Sequence, residues 1–279
     1  MKGEVRHDGW EKTPRGARAR IRRGEWTGPT AGLAPGYVQA NLVILPRDLA
    51  GNFERFCRAN PQPLPLLDIT EKGSAVPRKT APEADLRLDL PRYRVYREGR
   101  VDEEPTDIMT LWHADSVAFL IGCSFTFDGL LEARGVPVRH VDLGRNVPMY
   151  VTDRHTVAVG RFSGPLVVSM RPIPRKDVDR VASITRSLPD AHGEPIHVGS
   201  PEALGIEDLG RPEYGESVPI GPDELPVFWA CGVTALAVAR RARIKRMITH
   251  APGHMFITDI PAGRYRNSDG EITAPSVYL

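Results

Sequence analysis

The chain has 279 residues, of which 41% are hydrophobic and 26% are charged, and its formal net charge is +2. This composition is typical of a folded globular protein and excludes a wholly disordered chain. Its apolar runs have only the length of strands, which argues against a membrane-spanning protein.

The first 23 residues carry eight Lys/Arg and three Asp/Glu, a net of +5, which leaves a net of −3 for the rest of the chain. We expect residues 1–29 to form a disordered basic arm. Aromatic residues do not alternate with its basic ones, so we expect no nucleic-acid partner. The arm also lacks the apolar stretch of a secretory signal.

Three cysteines, an odd number, indicate reduced thiols in a cytoplasmic protein. Assembly into a homo-oligomer is left open.

In chain order, residues 36–46 predict a strand whose alternate side chains Tyr37, Gln39 and Asn41 share one face. Residues 49–60 have helical spacing. The segment that follows is punctuated by prolines, which predicts a largely irregular structure.

Two segments predict the same unit of strand, tight turn and helix. Residues 116–135 contain Cys123-Ser124-Phe125-Thr126 at the turn, and residues 218–243 contain Cys231-Gly232-Val233-Thr234. This unit is typical of parallel α/β sheets, in which both turns would lie along one edge. We therefore expect the two cysteines to approach one shared pocket.

Between these units, strands and one helix occur without β–α alternation, which indicates a smaller α+β module. The predicted fold is a three-layer α/β/α sandwich, formed by residues 30–135 and 221–279. A two-layer α+β domain, residues 136–220, is inserted into it.

The cysteine turns are the first candidates for chemistry. A helix N-terminus lowers the pKa of a thiol, and the hydroxyls of Ser124, Thr126 and Thr234 could cap the helices or donate to a substrate oxyanion. The alternative is that Cys123 and Cys231 are small buried hydrophobic residues, as most free cysteines are.

Arginines in unusual local sequence are the second candidates. Arg145 and Asn146 follow a glycine turn, and Arg171 ends an apolar strand. Because Arg grips carboxylates at two points, we expect these residues to bind a carboxylate and to cover the sheet edge. The alternative for any one Arg is an ordinary surface charge.

A histidine pair is the third candidate. His250 and His254 are four apart, but Pro252 and Gly253 between them exclude the helical zinc spacing. A divalent metal site completed by Asp259, an acid/base histidine and a structural pair all remain open.

Six ordered motifs carry a family resemblance over residues 30–260. The chain resembles the hydro-lyase family related to D-glutamate cyclase. This resemblance implies a larger three-layer sandwich, a smaller α+β domain and lyase chemistry. The motifs are APGYVQANLVILP, FLIGCSFTFD, GRNVPMY, GPLVVSMRPIP, VFWACGVT and ITHAPGHMF.

We therefore expect a carbon–oxygen lyase that needs no cofactor and acts on a small carboxylate-bearing substrate. The resemblance implies D-glutamate, which would lose water to give 5-oxo-D-proline. We assign Cys123, Cys231, His250 and His254 to catalysis. Substrate binding is assigned to Gln39, Asn41, Ser124, Thr126, Arg145, Asn146, Arg171 and Thr234. Two alternatives remain: a non-catalytic module that binds a small acid or a protein, and a metal-assisted hydrolase that uses the histidine pair.

Overall fold

The computed structural model describes residues 9–262 and two short strands beyond them. This part of the chain forms six α-helices: α1 (Pro14–Arg22), α2 (Arg47–Ala59), α3 (Phe125–Ala133), α4 (Arg139–Asp142), α5 (Val178–Arg186) and α6 (Thr234–Ala242). The strands are β1 (Tyr37–Pro46), β2 (Leu66–Ile69), β3 (Tyr93–Arg97), β4 (Arg100–Glu103), β5 (Ser116–Gly122), β6 (Met149–His155), β7 (Pro165–Pro174), β8 (His197–Val198), β9 (Glu224–Ala230), β10 (Met247–His250), β11 (Phe256–Pro261), β12 (Tyr265–Arg266) and β13 (Ile272–Thr273).

Two antiparallel sheets form the framework of this mixed α/β protein. The first has the order β2-β5-β1-β10-β3-β4, and β11 also pairs with β1. The second has the order β6-β7-β9-β8. The strands before the two cysteine turns thus lie in different sheets, because β5 pairs with β1 and β9 pairs with β7.

The predicted parallel sheet is therefore wrong. Strand β5 runs antiparallel to β1 in an unbroken register from Ala40↔Gly122 to Pro46↔Ser116. All seven residues of β5 are buried. The sheet is covered on both faces, so even an antiparallel strand reads as a continuous apolar run, the pattern that usually marks parallel strands.

The first sheet is covered differently on its two faces. On one face β1 packs with α2 and α6, through residues that include Phe53, Phe56 and Leu236. Much of the other face is covered by the segment between β2 and β3, with Leu86 and Leu90, which is largely irregular as predicted. A three-layer α/β/α sandwich requires helices on this face, whereas the described residues that cover it are largely irregular.

The second sheet extends beyond the predicted insertion of residues 136–220. Strand β9 runs along β7 from Val168↔Ala230 to Pro174↔Glu224, outside that boundary. Helix α3 also joins this unit, because Phe127 packs with Trp229 and Val181 in one cluster. Turns in the sequence do not locate the end of this unit, because the long-range pairing of β7 with β9 decides which strands belong to one sheet.

The N-terminal arm is ordered from residue 9 onward, which corrects the prediction of disorder over residues 1–29; residues 1–8 lie outside the described residues. Thr13 caps α1 by accepting a hydrogen bond from the Gly16 N–H (3.1 Å). The guanidinium of Arg18 is buried and donates to Ile257 O (2.7 Å) and Asp259 Oδ1 (2.8 Å). Helix α1 is thereby fixed to β11. None of the described helices is both long and apolar enough to cross a bilayer.

Candidate functional site

Both cysteine turns face the core between the two sheets. Cys123 lies between β5 and α3, and Cys231 lies between β9 and α6. Both are buried in the same hydrophobic cluster, and the proximity of Cys231 helps to raise the pKa of Cys123. The structure thus brings the turns near each other from two sheets, rather than along the single parallel edge predicted from the sequence.

The two thiols are more basic than predicted. Burial raises the pKa of Cys123 to about 12 and that of Cys231 to about 11. Backbone N–H groups at the helix starts and the charge of Arg171 lower both values, but they offset only part of the desolvation. The predicted lowering of the thiol pKa by the helix N-termini is therefore outweighed by burial, which favours the protonated thiols.

Asn41 joins the two turns. Its Nδ2 donates to Gly122 O (2.8 Å) and, at 3.3 Å, to Ile121 O. The same amide packs so closely on Gly232 that a Cβ at this position would lie 2.2 Å from Nδ2. Asn41 therefore contacts the residue before Cys123 and the residue after Cys231, and its donors are used within the protein instead of on a substrate.

The centre of the site is a buried ion pair. Arg171 is only 1% exposed; its Nε donates to Asp128 Oδ1 (2.6 Å) and its Nη2 to Asp128 Oδ2 (2.9 Å). The two-point grip predicted for a substrate carboxylate is thus made with a carboxylate of the protein itself. Despite its burial, the pKa of Asp128 falls to about 2, because the charge of Arg171 and the neighbouring His140 ring stabilise the carboxylate.

Further groups complete this polar cluster. Arg171 Nη2 also donates to Ser124 Oγ and Nη1 donates to Ser169 Oγ, both at 3.1 Å. His140 Nε2 lies 3.3 Å from Asp128 Oδ2. The guanidinium lies over the rings of Phe127 and Trp229, at 4.7 and 5.5 Å from their centroids. We call Ser124, Asp128, His140, Ser169 and Arg171 the arginine cluster.

Sequence reasoning missed three members of the arginine cluster: Asp128, His140 and Ser169. Two of them had a signal. Asp128 lies four residues after Ser124, on the same face of an otherwise apolar helix, and Ser169 lies two residues before Arg171, on the same face of β7. The acidic side chain of Asp128 within the apolar sequence FTFDGLL indicates a buried partner of opposite charge. His140 had no comparable signal, because the short helix α4 gives no periodicity.

The remaining polar candidates beside α3 and α6 make internal hydrogen bonds. The Gln39 N–H donates to Thr126 Oγ1 (3.2 Å), and Gln39 Nε2 donates to Thr30 O (2.9 Å) and Leu33 O (3.2 Å). Thr234 Oγ1 accepts from the Val167 N–H (3.0 Å), which ties α6 to β7. Gln39 Oε1 is buried without a hydrogen-bond partner among the described residues.

Arg145 and Asn146 do not join the arginine cluster through any contact of the described residues. Arg145 is exposed and donates to Ser217 O (2.6 Å). The Asn146 side chain lies against Gly253, where a Cβ would be 2.9 Å from its Nδ2. The predicted role of Arg145 and Arg171 as one carboxylate grip is therefore wrong in its geometry, since one guanidinium is exposed and the other is paired.

The histidine pair lies on the first sheet and the turn after it. His250 is fully buried, its Nδ1 accepts from the Leu42 N–H (3.1 Å), and burial lowers its pKa to about 4. His254 Nδ1 lies 2.9 Å from Pro252 O, and burial lowers its pKa. Asp259, the third residue of the alternative metal site, is paired with Arg18. No group of three or more His, Cys, Asp or Glu placed to hold a metal ion occurs within the described ranges.

Three cavities lie close to these groups. One of about 130 Å³ is lined by Gln39, Thr126 and Asp128 together with the loop before β1. A second, of about 170 Å³, is lined by Thr126 and by residues 187–191. A third, of about 500 Å³, lies on the other side of that segment and is lined by Gln62 and His192. Of the residues in the arginine cluster, Asp128 lines the first of these cavities.

Comparison with known proteins gives one family. Residues 117–259 match the family described as D-glutamate cyclase. A protein of Rubrobacter xylanophilus named "Putative hydro-lyase" is 60% identical over 87% of this chain and 94% of its own length. Proteins with that designation from Bacillus licheniformis and Bacillus subtilis are 56% and 53% identical, over 90% and 88% of this chain and 95% and 96% of theirs. The residues that match the family model, 117–259, include both cysteine turns and the arginine cluster.

Proposed function

This chain belongs to the D-glutamate cyclase family, and we propose that it is a carbon–oxygen lyase that removes water from a small substrate bearing a carboxylate. D-glutamate, which would give 5-oxo-D-proline, is the example that the family description suggests. The names of the relatives support the reaction class. Loss of water is redox-neutral, so the proposed reaction needs no redox cofactor. A cytoplasmic location is also part of this proposal.

The observation that supports a reactive site is the buried pair of Arg171 and Asp128. Removing two charges from water is unfavourable, and a buried ion pair usually adds little net stability over apolar residues. Such a pair beside cavities is typical of functional sites, where fixed charges act on a substrate through a medium of low dielectric constant. Because the guanidinium of Arg171 already binds Asp128 at two points, Arg171 would act on the substrate as a fixed positive charge and would not bind its carboxylate directly.

The neutral thiols fit a role as proton donors. Elimination of water requires a proton for the leaving oxygen, and a thiol with a raised pKa holds its proton at neutral pH. Cys123 lies next to Ser124, which Arg171 holds by a hydrogen bond. We assign Cys123 as the donor and Cys231 as its partner, with Thr126 and Gln39 at the cavity wall for substrate contact.

The raised pKa values of the two thiols are also compatible with a second candidate function. Because both thiols are protonated and buried, nothing in their chemistry distinguishes a lyase from a non-catalytic module that binds a small acid. Such a module would keep the cavities and the arginine cluster but would form no product. A measurement of product therefore separates the two functions, whereas a thiol titration does not.

The test is a screen of amino and hydroxy acids, D-glutamate included, for loss of water, followed by mass spectrometry and NMR. We expect turnover by the wild type, and we expect Cys123→Ser to fold normally but to lose most activity, by about 100-fold or more. Cys57→Ser is the matched control, because Cys57 is a buried thiol in α2 with no place in the site. Binding of an acid without product from any compound would favour the binding module.

A further inference from the structure

A buried histidine outside the arginine cluster lies in a segment that packs on the Cys123 turn. His192 follows a short 3₁₀ helix, Pro189–Ala191, and is 1% exposed. Its backbone has a φ of +77°, the left-handed region that favours glycine. A non-glycine residue held in that region is strained, and such strain concentrates at functional sites.

The hydrogen bond of the His192 ring determines its tautomer. Nδ1 lies 2.9 Å from Gln62 O, and a carbonyl oxygen only accepts, so Nδ1 carries the proton. Burial and, to a smaller extent, the charge of Arg171 lower the pKa of His192 to about 4, so the ring is neutral. Nε2 therefore presents a lone pair, and it is buried with no partner among the described residues.

Two contacts place the segment that carries His192 against the start of the Cys123 turn. Asp190 O, two residues before His192, packs on Gly122 so closely that a Cβ there would lie 1.6 Å away. The Gly122 N–H donates to Pro65 O (2.9 Å), three residues after the Gln62 carbonyl that orients His192. His192 and Gln62 also line the cavity of about 500 Å³.

We infer that His192 is the general base of this site, with Nε2 as the proton-accepting atom and Gln62 O as the group that orients it. A neutral imidazole held at one nitrogen by a carbonyl, with a free lone pair at the other, is the arrangement that proton abstraction requires. This inference rests on the proposed function and adds the acceptor for the proton that the substrate must lose.

The step balances for D-glutamate. Nε2 takes a proton from the substrate ammonium, and the amine then forms a C–N bond to the side-chain carboxyl carbon. The Cys123 thiol donates a proton to one carboxyl oxygen, and its thiolate takes back a proton from the attacking nitrogen. The imidazolium gives its proton to the same oxygen. The C–O bond breaks and water leaves, with no change of oxidation state. Such transfers contribute about 100-fold to 10,000-fold in rate.

His192→Asn is the decisive variant. Asparagine tolerates the left-handed backbone, and its side-chain amide can donate to Gln62 O in place of Nδ1, but it has no counterpart to Nε2. We expect kcat to fall by about 100-fold or more while KM and the melting temperature change little. His197→Asn is the matched control, because His197 bonds to Ser200 O at the surface and should retain full kcat.

The outcomes are distinguishable. Turnover by the wild type that persists in His192→Asn overturns the inference and leaves the proposed function in place. A wild type that removes water from none of the acids overturns the proposed function itself. An ¹⁵N NMR spectrum that shows the proton of His192 on Nε2 instead of Nδ1 also overturns the inference, whatever the activity.

Discussion

Asp128 satisfies the Arg171 guanidinium at two points, from Nε to Oδ1 at 2.6 Å and from Nη2 to Oδ2 at 2.9 Å. The pair links the helix after the first cysteine turn to the central strand pairing of the second sheet. Because both partners are almost completely buried, the hydrogen bonds of the pair replace those that each charged group would make with water. The relationship makes Arg171 essential to the fold, in addition to any role near a substrate.

We predict that Arg171→Lys destabilises the protein by about 3 kcal/mol, because lysine keeps the charge but cannot make the planar two-point contact. Urea unfolding measures the difference. Arg58→Lys is the control, since its pair with Glu54 is on an exposed helix surface, and its change should stay within about 0.5 kcal/mol. Equal stability of the two variants would contradict the structural role of the pair.

We predict that stability falls in two stages as the pH is lowered. His192 and His250 have pKa values of about 4 when folded, below the usual value near 6.5, so the unfolded chain binds more protons between these values. Stability is then lost from about pH 6.5 down to about pH 4. The lowered pKa of Asp128, about 2, adds a loss from its unfolded value near 3.8 downward.

Melting temperatures measured from pH 7 to pH 3 check this profile. His192→Asn should flatten the upper stage, because it removes one of the two rings whose pKa is about 4 when folded. A melting temperature that stays constant between pH 6.5 and pH 4 would contradict the burial of neutral histidines.

The sequence predicted local elements better than their assembly. The run of residues 116–122 and its helix to Ala133 appear as predicted, because apolar length and a glycine stop are local signals. Arg171 was recognised as unusual because it follows a buried strand. Its partner was not, since the contact between residues 128 and 171 depends on the packing of α3 against the second sheet. The direction of β5 was not predictable either, because a strand that is buried on both faces is a continuous apolar run whether it is parallel or antiparallel.

The N-terminal helix should matter to the fold. We predict that Arg18→Ala lowers stability by about 2 kcal/mol or more, because it leaves Ile257 O and Asp259 without their buried donor. Arg15→Ala is the control from the same helix, since Arg15 is largely exposed and its ion pair with Glu83 is long, at 3.5 Å. Thermal unfolding compares the two, and similar melting temperatures would restore the view of a loosely attached arm.

The last prediction concerns the contact that joins the two cysteine turns. We expect Gly232→Ala to be strongly destabilising, because its Cβ would meet Asn41 Nδ2 at 2.2 Å, and Asn41 is held at Gly122 O by a hydrogen bond of 2.8 Å. Gly51→Ala is the matched control: Gly51 lies in helix α2 with no atom within 4 Å of an added Cβ. It should stabilise the protein by about 0.5–1 kcal/mol through helix propensity. If Gly232→Ala unfolds at the same urea concentration as the wild type, Asn41 does not fix the distance between the turns. The nearness of the two thiols would then depend on the surrounding apolar core alone.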